Sequence, residues 1–251
     1  MSNLKIDAET SANASALYSG QKSILTLVVA KSGRGKTTSM RNLPPEHTHF
    51  INVLGKALPF PRGVQYRDGD NMTVSSSPAE IRSAMTEASA DESVEFLVID
   101  DAQYVMAIEF MEKSMQKGYD KFTIMARNFW DIMMKSLSLR SGLKVFILTH
   151  EDDSSPGTRK MKTLGKLLDE KMTPEGLSSI VLYGEVEMTE AKKRRYYFAT
   201  QTDGTTNAKS PFDMFPSEIP NDLMVISDRM DEYYGGVELK DSQLDFNITS
   251  I

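Results

Sequence analysis

The chain has 251 residues, a formal charge of −6, and the 40% hydrophobic and 25% charged content of an ordinary globular protein. That length suits one α/β domain with a full core, or one domain plus a small appendage, and the acidic balance confines any nucleic-acid binding to a local patch or an assembly. The absence of cysteine excludes disulfides, thiolate metal sites and cysteine nucleophiles, and only three histidines, with His47 and His49 in one segment and His150 far away, argue against structural zinc.

Residues 1–20 are small and polar and read as a flexible arm, without the basic start and apolar run of a signal peptide. No stretch approaches about 18 consecutive apolar residues, so no membrane span is expected and a reducing cytoplasm is the expected setting. "SILTLVVA" (23–30) is a β-branched run of the kind found in a strand buried on both faces. A glycine-rich turn follows, then "KTTSMRNL" as a short helix stopped by Pro44 and Pro45. "HTHFINVL" (47–54) is a second strand, and "GKALPFPRGVQYRDGDNMTV" is a loop without usable periodicity. Ser77 as N-cap, Pro78 at the first helical position and Glu80 form a capping box that starts a helix. "VEFLVID" (94–100) and "LKVFILTH" (143–150) are further buried strands, separated by two segments with helix-spaced Met and Phe residues. A polar, lysine-rich stretch from Glu151 to about Glu175 precedes "LSSIVLYGEVEM" and "RRYYFAT", which pair as a hairpin across "TEAKKRR". Strands alternating with helices predict an α/β fold: a mostly parallel central sheet flanked by helices, with a C-terminal antiparallel hairpin, in one domain over 21–236 and a tail at 237–251.

"AKSGRGKTTSM" (30–40) has the spacing of a phosphate-binding loop, with Ala30 where the first glycine stands. Gly33 and Gly35 are suited to positive φ and to exposing backbone N–H groups, so Ser32, Gly33, Arg34, Gly35, Lys36, Thr37 and Thr38 form the expected nucleotide-binding run. Lys36 would reach the β- and γ-phosphates, Thr37 would ligate Mg²⁺, and the helix N-terminus would add positive charge. "FLVIDDAQ" completes the metal site with Asp100, and puts Asp101 where many such ATPases carry a catalytic glutamate. Thr149 and His150 end the strand whose tip often senses the γ-phosphate.

With these elements in order, the chain resembles a family of bacteriophage P-loop ATPases with a RecA-like core, some of whose wider group act in single-strand annealing and recombination. The resemblance runs from about Ile24 to Tyr234 and includes "NVLGKALPF", "IDDAQYVM", "GYDKFTIMARNFWDIM", "KTLGKLLDEKMTPEGL" and "AKSPFDMFPSEIPNDL". It implies ATP and Mg²⁺ as cofactors, a homo-oligomer, single-stranded DNA as partner, and association with a single-strand-binding or other phage recombination protein. It also implies a trans-acting lysine, for which Lys209 is the candidate, and DNA contacts from Arg159, Lys160, Lys162 and Lys166 and from Lys192, Lys193, Arg194 and Arg195. Relatives carry a glutamate after the second strand; here the region reads "INVLGKALPF", which points to weak or regulated turnover.

The expected function is therefore a Mg-dependent ATPase acting on single-stranded DNA in phage recombination or replication, in the host cytoplasm. A nucleotide-binding regulatory or structural partner with little turnover stays open, as does a small-molecule kinase with 151–166 as its lid. Lys31 suggests partitioning ATPases, but their Asp-containing switch segments are missing.

Overall fold

The computed structural model describes residues 22–118, 120–152, 157, 159–164, 168 and 173–235. The arm at 1–20, the tail at 237–251 and Lys166 lie outside them. Nine strands are present among the described residues: β1 (Ile24–Ala30), β2 (Thr48–Asn52), β3 (Met72–Val74), β4 (Phe96–Asp100), β5 (Lys144–Asp152), β6 (Lys160–Met161), β7 (Ile180–Met188), β8 (Arg194–Ala199) and β9 (Glu218–Pro220). Five helices of α type join them: α1 (Pro78–Ala90), α2 (Gln103–Glu112), α3 (Asp120–Ser136), α4 (Pro174–Leu177) and α5 (Leu223–Tyr234).

The strand order is β3-β2-β4-β5-β1-β7-β8-β9, with β6 attached antiparallel to the end of β5. Pairing is parallel from β3 through β7, and antiparallel at β7–β8 and β8–β9. A strand thus lies between the P-loop strand β1 and the Asp100 strand β4, and an antiparallel extension closes the far side. This is the mostly parallel α/β sheet with a C-terminal antiparallel extension that the alternation of elements leads one to expect.

Side-chain alternation assigns the two faces. Leu25, Leu27, Val29, Leu97, Ile99, Val145 and Ile147 pack under α1, α2 and α3. Val28, Phe96, Val98, Phe146 and Leu148 face the other way, onto Met40, Leu43, Phe60, Tyr66 and α5. Strands buried on both faces read as unbroken apolar runs, which is why β1, β4 and β5 were legible. Each fully buried aliphatic or aromatic side chain contributes roughly 1.5–3 kcal/mol.

Three local features differ from the sequence expectation. The helix after the P-loop is a 3-10 helix of six residues, Thr37–Asn42, too short for a strong N-terminal dipole. The loop after β2 contains a 3-10 turn at Pro61–Gln65 and the edge strand β3, whose three residues are half-buried or exposed and so carry no apolar period. The capping box at α1 is made indirectly. Ser77 Oγ accepts the Glu80 N–H, but Glu80 Oε2 accepts from Ser75 Oγ, which in turn accepts the Ser77 N–H.

The register brings functional ends together: Ala30 pairs with His150, and Asn52 with Asp100. The C-terminal ends of β1, β2, β4 and β5 therefore share one edge of the sheet, where ligands of open α/β sheets bind.

Candidate nucleotide site

The P-loop has the backbone its glycines predict, with φ of +78° at Gly33 and +79° at Gly35. A Cβ on Gly35 would come within 3.0 Å of Asn221 Oδ1, so both conformation and space require glycine there. Ala30 is fully buried at the end of β1, and the glycine it lacks has a counterpart across the sheet. A Cβ on Gly184 of β7 would sit 2.8 Å from Ala30 Cβ, so Gly184 makes the room that Ala30 fills.

Lys36 is withdrawn from water and donates to the carbonyls of Ala30 (3.0 Å) and Lys31 (3.1 Å). Burial lowers its pKa, opposed by the charges of Asp101, Asp100 and Glu151 and assisted by Lys56. Thr37 Oγ1 donates to Asp100 Oδ2 at 2.6 Å, and Asp100 Oδ1 accepts the Asp101 N–H at 3.0 Å. Burial pushes the Asp100 carboxyl up to about 6, beyond what the Thr37 hydrogen bond offsets, and the Asp101 charge adds to the rise.

Asp101 has φ +57°, a left-handed conformation that aspartate tolerates better than most residues. Its Oδ2 lies 2.7 Å from Lys56 Nζ and its Oδ1 lies 3.3 Å from His150 Nε2. Burial would raise its pKa, but hydrogen bonds from His150 and Lys56 and their charges bring it down to about 2. His150 packs edge-on against Tyr104. The tip of β5 is held by Gln103, whose Oε1 accepts from Thr149 Oγ1 (3.2 Å) and His150 N–H (3.1 Å). Thr149 itself is fully buried.

These groups line a cleft of about 460 Å³. Its lining comes from the P-loop (Ser32, Gly33 and Gly35 to Thr38), the loop after β2 (Lys56 to Pro59), the strand ends at Asp100, Asp101 and His150, and Tyr196 and Asn221. The size suits a nucleotide-class ligand. The donor set fits magnesium triphosphate: two glycines with positive φ, a buried lysine, and a hydroxyl and carboxylate already touching. Among the described residues no group of three or more His, Cys, Asp or Glu could hold a metal alone. Thr37 and Asp100 would supply the two protein positions, as Mg²⁺ sites completed by water and phosphate require. Bound Mg²⁺ would neutralise phosphate charge there.

Arg34 turns out of the cleft. Its Nη1 pairs with Glu185 Oε2 at 2.6 Å, and Glu185 also binds Arg159. Arg159 reaches Glu151 Oε2 at 3.1 Å, and Lys31 Nζ lies 3.8 Å from Glu151 Oε1. Of the expected DNA-contacting groups, Arg159 is thus in an ion-pair cluster behind the P-loop, and Arg195 pairs with Glu187 (2.6 Å) and Glu218 (2.7 Å). Lys160 is half-buried in β6 and Lys162 is exposed just after it. Lys192, Lys193 and Arg194 are exposed on and beside the β7–β8 turn. Lys209 exchanges both backbone hydrogen bonds with Val181, at the level of Leu27 in β1, and does not line the cleft of its own chain.

Lys56, Tyr196, Asn221, Gln103 and Asn52 escaped sequence reading as site residues. Lys56 carried a signal, since "GK" directly follows a strand whose end shares the edge with Ala30 and Asp100. Tyr196 and Asn221 reach the cleft only through the antiparallel extension, which no motif announces.

The chain matches no protein-family model and no curated protein. Among solved structures it is similar to a KaiC-like protein from the hyperthermophilic archaeon Pyrococcus horikoshii, with 12% identity and a TM-score of 0.44 over 72% of this chain and 81% of that one. The fold assignment rests on strand order and register, and the site on its own distances.

Proposed function

We propose that this chain binds ATP with Mg²⁺ and hydrolyses it slowly, as a phage-type P-loop ATPase acting on single-stranded DNA in recombination or replication. One observation carries the nucleotide part: Thr37 Oγ1 meets Asp100 Oδ2 at 2.6 Å beside the buried Lys36, at the mouth of a cleft of nucleotide size. Lys36 would exchange its two carbonyl partners for phosphate oxygens. Asp101 would order the attacking water, with His150 beside the terminal phosphate. The DNA part is supported by Lys162, Lys192, Lys193 and Arg194, exposed cations beyond those in the ion-pair cluster. Within a homo-oligomer, Lys209 of a neighbouring copy would complete the site, a contribution on the order of 10³-fold where such fingers operate. A single-strand-binding protein is the expected companion and the host cytoplasm the expected setting. Among the described residues no helix is long and apolar enough to cross a membrane.

ATP turnover with and without single-stranded DNA, wild type against Lys36→Ala, tests this reading. DNA-stimulated turnover that the substitution abolishes is the expected result. No nucleic-acid binding at low salt would remove the DNA part.

One observation favours a second reading, a nucleotide-binding regulator with little turnover. Asp101 is held by Lys56 and His150 and brought down to about 2, which makes it a weak proton acceptor in this state. Phosphate release measured beside nucleotide affinity separates the two.

A further inference from the structure

The loop after β2 brings into the cleft a cation that P-loop chemistry leaves unassigned. Asn52, the buried last residue of β2, donates its amide to the Lys56 carbonyl (2.8 Å) and accepts the Lys56 N–H (3.2 Å). Both backbone groups of Lys56 are thus fixed from a rigid strand end. Gly55 sets the turn with φ +63°, and a Cβ there would approach Val74 Cγ1 to 3.1 Å. The side chain that this turn aims is 60% exposed, with its ammonium 2.7 Å from Asp101 Oδ2 and 5.4 Å above the Tyr104 ring.

An ammonium has three N–H donors, and Asp101 takes one of them. Lys36 and Lys56 both line the cleft, close enough that the charge of Lys56 depresses the proton affinity of Lys36. Strand order gives their sequence along the edge of the sheet. Lys36 follows β1, Asp100 ends β4, and Lys56 follows β2, one strand beyond β4. A phosphate chain laid along the P-loop and past Asp100 reaches Lys56 last.

We propose that Lys56 is a nucleotide ligand that contacts the terminal phosphate and so distinguishes a triphosphate from a diphosphate, an assignment that rests on the nucleotide-binding reading above. Where the resemblance leads one to expect an acidic residue after the second strand, this chain presents a cation. Asp101 then serves as the resting partner that holds Lys56 in the cleft until a phosphate oxygen replaces it. Were Lys56 only neutralising Asp101, the unmasked carboxylate would itself repel the triphosphate more than the diphosphate, so the double variant Lys56→Ala/Asp101→Asn separates the two roles: a direct contact predicts that the selective loss persists in it, and restored triphosphate preference there overturns the assignment.

Calorimetric titration of two ligands, Mg²⁺-ADP and the Mg²⁺ complex of an ATP analogue with a non-hydrolysable β–γ bridge, tests the assignment without turnover. Lys56→Ala is expected to weaken the analogue on the order of tenfold, the value of one charged hydrogen bond, and ADP by less than about twofold. Lys56→Arg is expected to keep most of the preference, and Lys36→Ala to weaken both. If a thermal melt shows that Lys56→Ala is unfolded, Lys56→Gln, which retains a donor for Asp101, takes its place with the same expected ratio. Equal weakening of the two ligands, or no change in either, overturns the assignment. A wild-type protein that binds neither ligand overturns the nucleotide reading itself, and Lys56 with it.

Discussion

The two flanks of the P-loop contain the same kinds of residue arranged to opposite ends. On the β4 side, Asp100, Asp101, Lys56 and His150 face an open cleft, and the two carboxyls are driven apart, to about 6 and about 2. On the β7 side, Lys31, Arg34, Arg159, Glu151 and Glu185 face one another, and the Glu151 side chain has no exposed surface. Burial penalises charge on both sides. The β7 cluster offsets that penalty with direct ion pairs, whereas on the β4 side Asp100 has only a hydroxyl and a backbone N–H for its two oxygens. Under the proposed function, Mg²⁺ would supply the cation that Asp100 lacks among its hydrogen-bond partners. A basic residue near the site is no guide to ligand binding until its partner is known.

The sharpest way to break this contrast is Asp100→Asn. It should weaken Mg²⁺-dependent nucleotide binding on the order of 100-fold, read by titration with and without the metal. It should also stabilise the nucleotide-free protein at pH 7.5 by about 1–3 kcal/mol, read by chemical denaturation. The signs follow from the raised pKa. The protonated carboxyl is favoured on folding, so its stabilising contribution is complete below about pH 4 and is lost as pH rises through about 6. Metal-dependent affinity should grow over that same interval and flatten above it. A variant that is less stable than wild type would show that the Asp100 charge is offset within the fold, as that of Glu151 is by its ion pairs.

Arg159→Ala probes the other flank. It should cost about 1–3 kcal/mol of stability, by removing one of the three cations that face Glu151 and Glu185, while nucleotide affinity changes little. Unchanged stability with lost DNA binding would contradict the cluster's structural role. The β1–β7 seam between the flanks offers a finer test. Gly184→Ala should destabilise by roughly 1–3 kcal/mol through the collision with Ala30, and Ala30→Gly in the same chain should recover most of that loss. The smallest effect is expected from alanine at Lys192, Lys193 and Arg194. Each should lower the salt slope of single-stranded DNA binding by about 0.7, with no loss of stability.

Sequence alone revealed what is local. The apolar runs of β1, β4 and β5, the glycines at 33 and 35, and the pair Thr37 and Asp100 are each fixed by neighbours in the chain or by a buried strand end. It did not reveal which cations remain available. That Arg34 and Arg159 are tied to Glu185 depends on β7 pairing beside β1, a contact between residues some 150 positions apart. Lys56 enters the cleft only because Asn52 holds its backbone at the end of β2, a contact across a loop that has no periodicity in the sequence. Gly184 explains Ala30 only once the strand order is known.

The most direct test of the central claim, that the β4 flank is a magnesium–nucleotide site, is calorimetric titration of ATP into the wild type and Lys36→Ala proteins, each with and without Mg²⁺. The account predicts saturable binding to the wild type that strengthens with the metal and is lost in the variant. Equal binding to both proteins, or none to the wild type at millimolar nucleotide, would contradict it.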